Sequence, residues 1–315
     1  MPNYQGVWSL STQYQNASGW PVPPQVAFTA GGDQANVQQS IDRVLMTTLG
    51  NATDFGDLSY IPSEAPASCS SSTRGLWAGG NNHVNNIDKI TFATTGSGSD
   101  FGDLTQGRDE AAGCSSSTRG IFAGGSTSGT QGVGTIDYVT IGSDGNAADF
   151  GDLTQDRENA GGCASPTRGV FAGGYKSPLV RTTIDYVTIA STGNATAFGD
   201  ISVTAQERAG LSDATRGVFG GGQNNTTDVI DYITIASTGN ATDFGDLLAA
   251  SYKMGGAAGI TRGLFLGGFT PSVPERSAVI QFITIQSTGN ATDFGDLTVG
   301  RNGGAACSDS HGGLT

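Results

Sequence analysis

Charge is scarce in this chain, and what there is of it is mostly negative. Of 315 residues, 14% are Asp, Glu, Lys or Arg, with a formal net charge of -13 and an isoelectric point near 4.3. Such a balance repels nucleic-acid phosphates and anionic membrane surfaces, so neither is expected as a partner. Histidine is nearly absent: His83 and His311 are the only two, too few for a multi-histidine metal site. No apolar run reaches the ~18 residues of a membrane span. The opening MPNYQGVWSL lacks a charged stretch followed by an apolar one, so no signal peptide is read. Helical periodicity is missing from most of the chain. So is any Gly-x-Ser-x-Gly elbow. Asp-Phe-Gly recurs at Asp54, Asp100, Asp149, Asp243 and Asp293, but the Gly-rich loop, strand lysine and catalytic loop of a kinase do not accompany it. No enzyme activity, cofactor or metal is expected. Calcium held by the Asp pairs around each Phe-Gly is the alternative to their capping turns.

What the chain has in excess is glycine, 50 residues without a Gly-X-Y period. The glycines belong to a repeat. Phe-Gly-Asp recurs at Phe55, Phe101, Phe150, Phe198, Phe244 and Phe294, about every 48 residues. Fourteen residues before each Phe stands an isoleucine, from Ile41 to Ile280, and before each isoleucine a Gly-Gly pair. Six copies of one ordered set mark a repeat fold. Each copy reads as four short strands. The first is small and apolar, such as Ala111-Ala112-Gly113-Cys114. The second follows a Thr-Arg-Gly turn carrying Arg74, Arg119, Arg168, Arg216 or Arg262 and ends on Gly-Gly. The third alternates as Ile-Asp-Tyr-Val-Thr-Ile, and the fourth carries Phe-Gly-Asp-Leu. Between the last two lies Thr-Gly-Asn, whose Gly and Asn are expected to supply positive φ. Four-stranded meanders at this period are the blades of a propeller. The fold class is therefore all-β, a six-bladed β-propeller over residues 26–315, preceded by an extension over residues 1–25.

Cys69, Cys114, Cys163 and Cys307 all occupy one position of the first strand, where Leu211 and Ala257 stand in other copies. That pattern is apolar packing, so free buried thiols are expected. Asn51, Asn194, Asn240 and Asn290 head Asn-x-Thr sequons, but they fall in the repeated turn, where a backbone role explains them.

The first copy lacks its Thr-Arg-Gly turn, and the chain enters at Val26-Ala27-Phe28 as a second strand. After the sixth copy, Gly303 to Cys307 read as one more first strand, with His311 near the Arg position. The ends complement each other, so one blade is expected to combine three strands from residues 26–58 with one from about 303–310, closing the ring and removing its edges.

These units resemble the kelch-repeat family. Gly-Gly is present throughout. The third-strand aromatic is Tyr138, Tyr186, Tyr232 and Phe282, replaced by Arg43 and Lys89 in the first two copies. The fourth-strand Trp is Phe, and an arginine follows that strand at Arg108, Arg157 and Arg301. The resemblance implies the fold rather than an activity. The repeat Ile-Asp-Tyr-Val-Thr-Ile…Gly-Asn-Ala-Thr-Asp-Phe-Gly-Asp-Leu, and the opening Gly-Val-Trp-Ser-Leu with Gln-Tyr-Gln and Trp-Pro, also resemble structural proteins of tailed bacteriophages. That resemblance implies a virion protein present in multiple copies, tail- or fibre-associated or decorating the head. A glycan-binding lectin or kelch-like enzyme is the alternative.

Between Gly-Gly and the isoleucine the spacing varies from 7 to 12 residues, whereas the Ile-to-Phe spacing never changes. These loops should share one face with the blade-to-blade connectors. Held on a rigid scaffold, they are candidates for binding a host-surface glycan or protein: Asn81, Asn82, His83, Tyr175, Lys176, Arg181, Gln223, Asn224, Phe269, Glu275 and Arg276. The extension concentrates Trp8, Leu10, Tyr14 and Trp20 beside Pro21, a set suited to anchoring on other virion proteins.

Overall fold

A computed structural model describes residues 24–33, 39–62, 65–80, 82–94, 96–224, 226–271 and 276–314. It is a six-bladed β-propeller. The first blade is β1 (Val26–Ala30), β2 (Ser40–Leu45) and β3 (Thr53–Asp57), completed on its inner side by β26 (Ala305–Ser308). The second is β4 (Ala67–Ser70), β5 (Arg74–Ala78), β6 (Asn86–Thr91) and β7 (Ser99–Asp103). The third is β8 (Ala112–Ser115), β9 (Arg119–Ala123), β10 (Val133–Thr140) and β11 (Ala148–Arg157). In the fourth, β12 (Gly161–Ala164) and β13 (Arg168–Ala172) are followed by a hairpin of β14 (Tyr175–Lys176) and β15 (Leu179–Val180), then β16 (Thr183–Thr188) and β17 (Thr196–Asp200). The fifth is β18 (Ala209–Ser212), β19 (Arg216–Gly220), β20 (Val229–Thr234) and β21 (Thr242–Asp246). The sixth is β22 (Gly255–Ala258), β23 (Arg262–Leu266), β24 (Val279–Thr284) and β25 (Thr292–Asp296).

The closing strand pairs as the two ends of the repeat require. β26 runs antiparallel to β1, with Ala27 opposite Ser308 and Ala30 opposite Ala305. The inner strands β26, β4, β8, β12, β18 and β22 then pack in a closed circle about the axis.

The core lies between blades. One cluster joins Leu211 and Val218 of the fifth blade to Phe265 and Ile283 of the sixth. Second strands are apolar on both sides because each is covered by a blade on either face. The free cysteines are buried, as their substitution pattern implies. Each thiol fills the space left by the glycine of the next blade's Arg-Gly: a Cβ on Gly120 would sit 2.5 Å from Cys69 Sγ. Where Cys becomes Ala257, the facing glycine position in the first blade is Ala27, and the two pack in one cluster.

The third-to-fourth-strand turn of each blade docks on the outer strand of the blade before it. Gly145 and Ala147 donate their N–H groups to Phe101 and Asp103 carbonyls at 2.8 and 2.7 Å. In return Asp103 N–H donates to Asn146 Oδ1 at 3.1 Å. The same bond recurs at Asn51, Asn194, Asn240 and Asn290. The outer edges are thereby paired. This corrects the reason for the asparagine: its φ is not positive, and its side chain is the part in use. Approach is so close that a Cβ on Gly102 would lie 2.5 Å from the Gly145 carbonyl, which is why Phe is followed by Gly.

A buried carboxylate in the third strand links five of the six blades to the connector before it. Asp137 accepts from Thr105 N–H and O–H and faces Arg108 at 2.8 Å. Asp185 meets Thr154 and Arg157, Asp231 meets Ser202 and Arg208, and Asp42 meets Thr298 and Arg301. The second blade differs. Asp88 keeps Ser59, and the Tyr60 hydroxyl takes over the neighbouring carbonyl of Gly79 at 2.8 Å. Burial raises the Asp88 pKa, against its Ser59 hydrogen bonds. In the sixth blade all three change together, to Leu248, Gln281 and Met254.

His311 does not occupy the Arg position of the first blade; Val26, paired with Leu45 as Arg74 is with Thr91, stands there. The chain turns inward after β26 instead, because Asp309 caps Val26 N–H and stops the strand. A short 3-10 turn, Gly312–Leu314, then crosses the axis. Gly313 N–H donates to His311 Nδ1, leaving Nε2 to donate to Ser70 carbonyl at 3.1 Å. Burial pulls the His311 pKa down to about 4, so the ring is neutral at pH 7.

Candidate functional site

The second strand of every blade ends on the face where the chain passes to the next blade. Loops and connectors are tied there by isolated antiparallel bridges: Asp33 with Asn302, Asp109 with Ser126, Glu158 with Tyr175, Gln206 with Gln223, and Tyr252 with Phe269. This is the connector face. The opposite face carries the Arg turns and the Gly-Asn turns. There the guanidiniums lie over third-strand rings, Arg119 over Tyr138 at 4.4 Å and Arg168 over Tyr186 at 4.5 Å. Each also reaches the next blade, as Arg119 does to the Ile189 carbonyl at 2.7 Å. The repeated Phe residues are buried beneath. The structural role of both sets is therefore inter-blade packing.

On the connector face the chain makes a second, smaller circle. Ala65, Glu110, Asn159, Glu207 and Lys253 all have left-handed backbones, φ between 47° and 59°, and Gly303 completes the set at 69°. Each N–H donates to the carbonyl of its counterpart one blade back: Glu110 to Ala65 at 3.0 Å, Asn159 to Glu110 at 2.8 Å, Glu207 to Asn159 at 3.0 Å, Lys253 to Glu207 at 3.2 Å, Gly303 to Lys253 at 2.8 Å and Ala65 to Gly303 at 2.8 Å. Non-Gly residues in this region carry a backbone cost that the closed hydrogen-bond ring offsets. These residues form the mouth of an axial cavity of about 170 Å³, walled by Ala, Gly, Ser and Cys of the six inner strands. His311 lies at its far end, where the 3-10 turn closes it.

The mouth is mixed in charge. Lys253 Nζ lies 3.8 Å from Glu207 Oε1. Glu110 has its pKa raised to about 7, by burial first and then by Glu158 and Asp109, against Lys253. Glu158 is raised by burial, opposed by its bonds to Gln131 and Gly132. A folded-state pKa above the ordinary 4.5 means the fold binds that proton more tightly. The stability it confers is complete below that value and is lost as pH rises through about 7. Glu110→Gln should therefore flatten the loss of stability between pH 5 and 8, read as urea midpoints at both pH values. Equal pH slopes for the variant and the parent would refute it.

The loop residues expected to bind are spread around the rim over four blades rather than gathered in one pocket. His83 Nε2 stands 3.7 Å from Asp109. Lys176 Nζ bonds Asp156 at 2.7 Å and the Gly132 carbonyl at 3.0 Å. Gln223 Oε1 accepts from Gln206 at 2.8 Å. Phe269 packs on Tyr252, ring centroids 4.9 Å apart. Arg276 Nη2 donates to both carboxylate oxygens of Asp33 at 2.9 Å. Asn82 and Asn224 sit in left-handed turns, and Arg181 N–H closes the fourth-blade loop on Gly174 at 2.7 Å. The loops are thus braced by side chains as well as bridges. Asn81 and Glu275 lie outside the described residues, as do Trp8, Leu10, Tyr14, Trp20 and Pro21. Among the described residues, no group of three His, Cys, Asp or Glu is placed to hold a metal ion, and no helix is long and apolar enough to cross a membrane.

Reading the repeat missed the mouth residues. Their signal was present: the position two before each inner strand is Glu110, Asn159, Glu207, Lys253, Ala65 or Gly303, polar in four copies inside an otherwise small apolar stretch. Arg208 was missed for another reason. It stands three residues later in the repeat than Arg108, yet reaches Asp231, the equivalent of the Asp137 that Arg108 meets. No protein-family model matches the chain, and no curated protein matches it either.

Proposed function

We propose that this propeller is a non-enzymatic virion protein of a tailed phage that is held by one face and binds with the other. The observation that carries this reading is the polarity of the ring. Pro24 and Leu314, the ends of the described chain, both lie on the turn face. Every loop of unequal length, and the polar mouth, lies on the connector face. The variable loops point away from the face on which Pro24 lies. The resemblance of the repeats to kelch blades and to tailed-phage structural proteins supports the reading. So does the set Trp8, Leu10, Tyr14 and Trp20, fitted to other virion proteins. Rigid, braced loops with amide, aromatic and charged side chains suit a host-surface glycan or protein, or a neighbouring virion protein.

The test is co-sedimentation with particles. The full chain is expected in the particle fraction of a gradient-purified lysate, and a chain lacking residues 1–23 is expected to remain folded but unincorporated. Full-length protein found only in the soluble fraction would refute the virion role. Antibody label at the tail or on the head decides the location.

A further inference from the structure

The innermost strand of each blade pairs on one side only, with its own second strand. Every second residue of it therefore turns its peptide N–H and C=O toward the axis. At the level nearer His311, serine hydroxyls of neighbouring blades meet these groups. Ser115 Oγ donates to the Ser70 carbonyl at 2.7 Å and accepts from Ser70 N–H at 3.1 Å, and Ser212 does the same for Ala164. Ser70 and Ser308 hydroxyls donate to the Ser308 and Ala258 carbonyls.

Two residues earlier the same edge is presented by Ser68, Gly113, Gly162, Gly210, Gly256 and Ala306. Ser68 still gives its hydroxyl to the Ala306 carbonyl at 2.8 Å. The four glycines have no hydroxyl to give. The strands lie too close here for larger side chains: a Cβ on Gly162 would sit 2.4 Å from the Gly113 carbonyl, and one on Gly210 2.4 Å from the Gly162 carbonyl. In all but Ala306 this residue is half-buried between two buried chain neighbours. Interior peptide groups need partners, and what faces them at this level is the axial cavity.

Above this ring of peptide acceptors stands the mouth. Of the charged groups that act on Glu110, Glu158, Asp109 and Glu207 are acidic and Lys253 is basic. Lys253 Nζ already lies 3.8 Å from Glu207. Burial first, and then this acidic excess, brings the Glu110 pKa to about 7. An entering cation relieves the excess. A primary ammonium carries three N–H donors and no acceptor, the complement of carboxylates above a ring of carbonyls. At about 170 Å³ the cavity is larger than a bare ion needs and close to the ~150 Å³ that accommodates a benzene-sized molecule.

We propose that the axial cavity binds a primary alkylammonium of about six heavy atoms, its N–H donors shared between Glu110, Glu207 and the carbonyls of the glycine ring. A free small amine and a lysine side chain of a partner protein present this same chemistry. The site stands on the axial cavity and not on the virion role or the variable loops.

Isothermal titration of the full chain with n-butylammonium chloride and with Nα-acetyl-lysine amide tests it. Saturable binding of one ligand per chain is expected at pH 8, with no saturable heat from n-butanol or potassium chloride. Affinity should fall about tenfold from pH 8 to pH 6, because Glu110 takes up its proton over that range and the ligand favours the ionised form. Glu110→Gln should weaken binding at pH 8 by about tenfold or more and remove that pH dependence, without lowering the melting temperature. If that variant melts below the parent, Glu207→Gln carries the same expectation for affinity. The tighter of the two amines identifies the source, a free amine or a protein lysine. The proposal is overturned if neither amine saturates, if potassium or n-butanol binds as well as the amine, or if the folded variant keeps the parent's affinity. Each outcome is independent of whether the protein enters particles.

Discussion

A chain ending at residue 302 should show no cooperative unfolding transition and should aggregate at room temperature. β26 is the inner strand of the first blade, and its loss strips four pairings from β1. It also removes inter-blade partners that no other segment replaces. Trp77 Nε1 donates to the Ala305 carbonyl at 3.1 Å. Ser68 and Ser70 hydroxyls donate to the Ala306 and Ser308 carbonyls at 2.8 and 2.7 Å. Gly303 leaves the hydrogen-bonded circle at the mouth, so the ring opens there too. Each orphaned buried group costs about 1–3 kcal/mol, and several together approach the ~5–15 kcal/mol that holds a whole domain. The exposed edge of β1 then templates association. Circular dichroism melting and size-exclusion chromatography read the outcome. A truncated chain that elutes as a monomer with an unchanged melting curve would refute closure through this strand.

Arg208→Met should destabilise the propeller by about 3–5 kcal/mol, the scale for breaking one side of a buried ion pair. Both side chains are essentially inaccessible, with Arg208 Nη1 2.5 Å from Asp231 Oδ2. The arginine also donates to the Phe219 and Val229 carbonyls at 2.8 and 2.9 Å. The methionine leaves the Asp231 carboxyl in the core without its counter-charge, hydrogen-bonded to Ser202. Completing the change as Ser202→Leu/Asp231→Gln/Arg208→Met should recover most of that loss, to within about 1–2 kcal/mol of the parent. The reason is in the protein itself: Leu248, Gln281 and Met254 occupy the same three positions one blade later, and Gln281 still accepts from Leu248 N–H at 2.8 Å. Urea midpoints of the single and triple variants are the measurement. If the triple variant is as unstable as the single one, the exchange is not a unit.

The connector face follows a different logic from these structural sites. Its bridges repeat the same backbone geometry with different side chains at every step, from Asp33–Asn302 to Tyr252–Phe269. Backbone pairing fixes the loops, and the side chains are left to vary. That separation is what a binding rim on a repeat scaffold requires.

The sequence by itself determined the blade count, the strand order and the closing strand. Those depend on period-two alternation and on turn residues at constant offsets, which are local and recur six times, and on two ends that complement each other. It also determined that one loop class varies. It misread the turn asparagine, because a residue chosen for a side-chain bond to a neighbouring blade looks the same in one dimension as one chosen for its φ. Only the tertiary structure decided where the irregular residues go. Glu110, Asn159, Glu207 and Lys253 are about 48 residues apart along the chain yet meet in one ring around the axis. Arg208 stands out of register and still finds Asp231. His311 leaves its expected position to turn inward toward Ser70. A repeat writes its own contacts into its period, whereas contacts between blades depend on the closure of the circle, which no single unit contains.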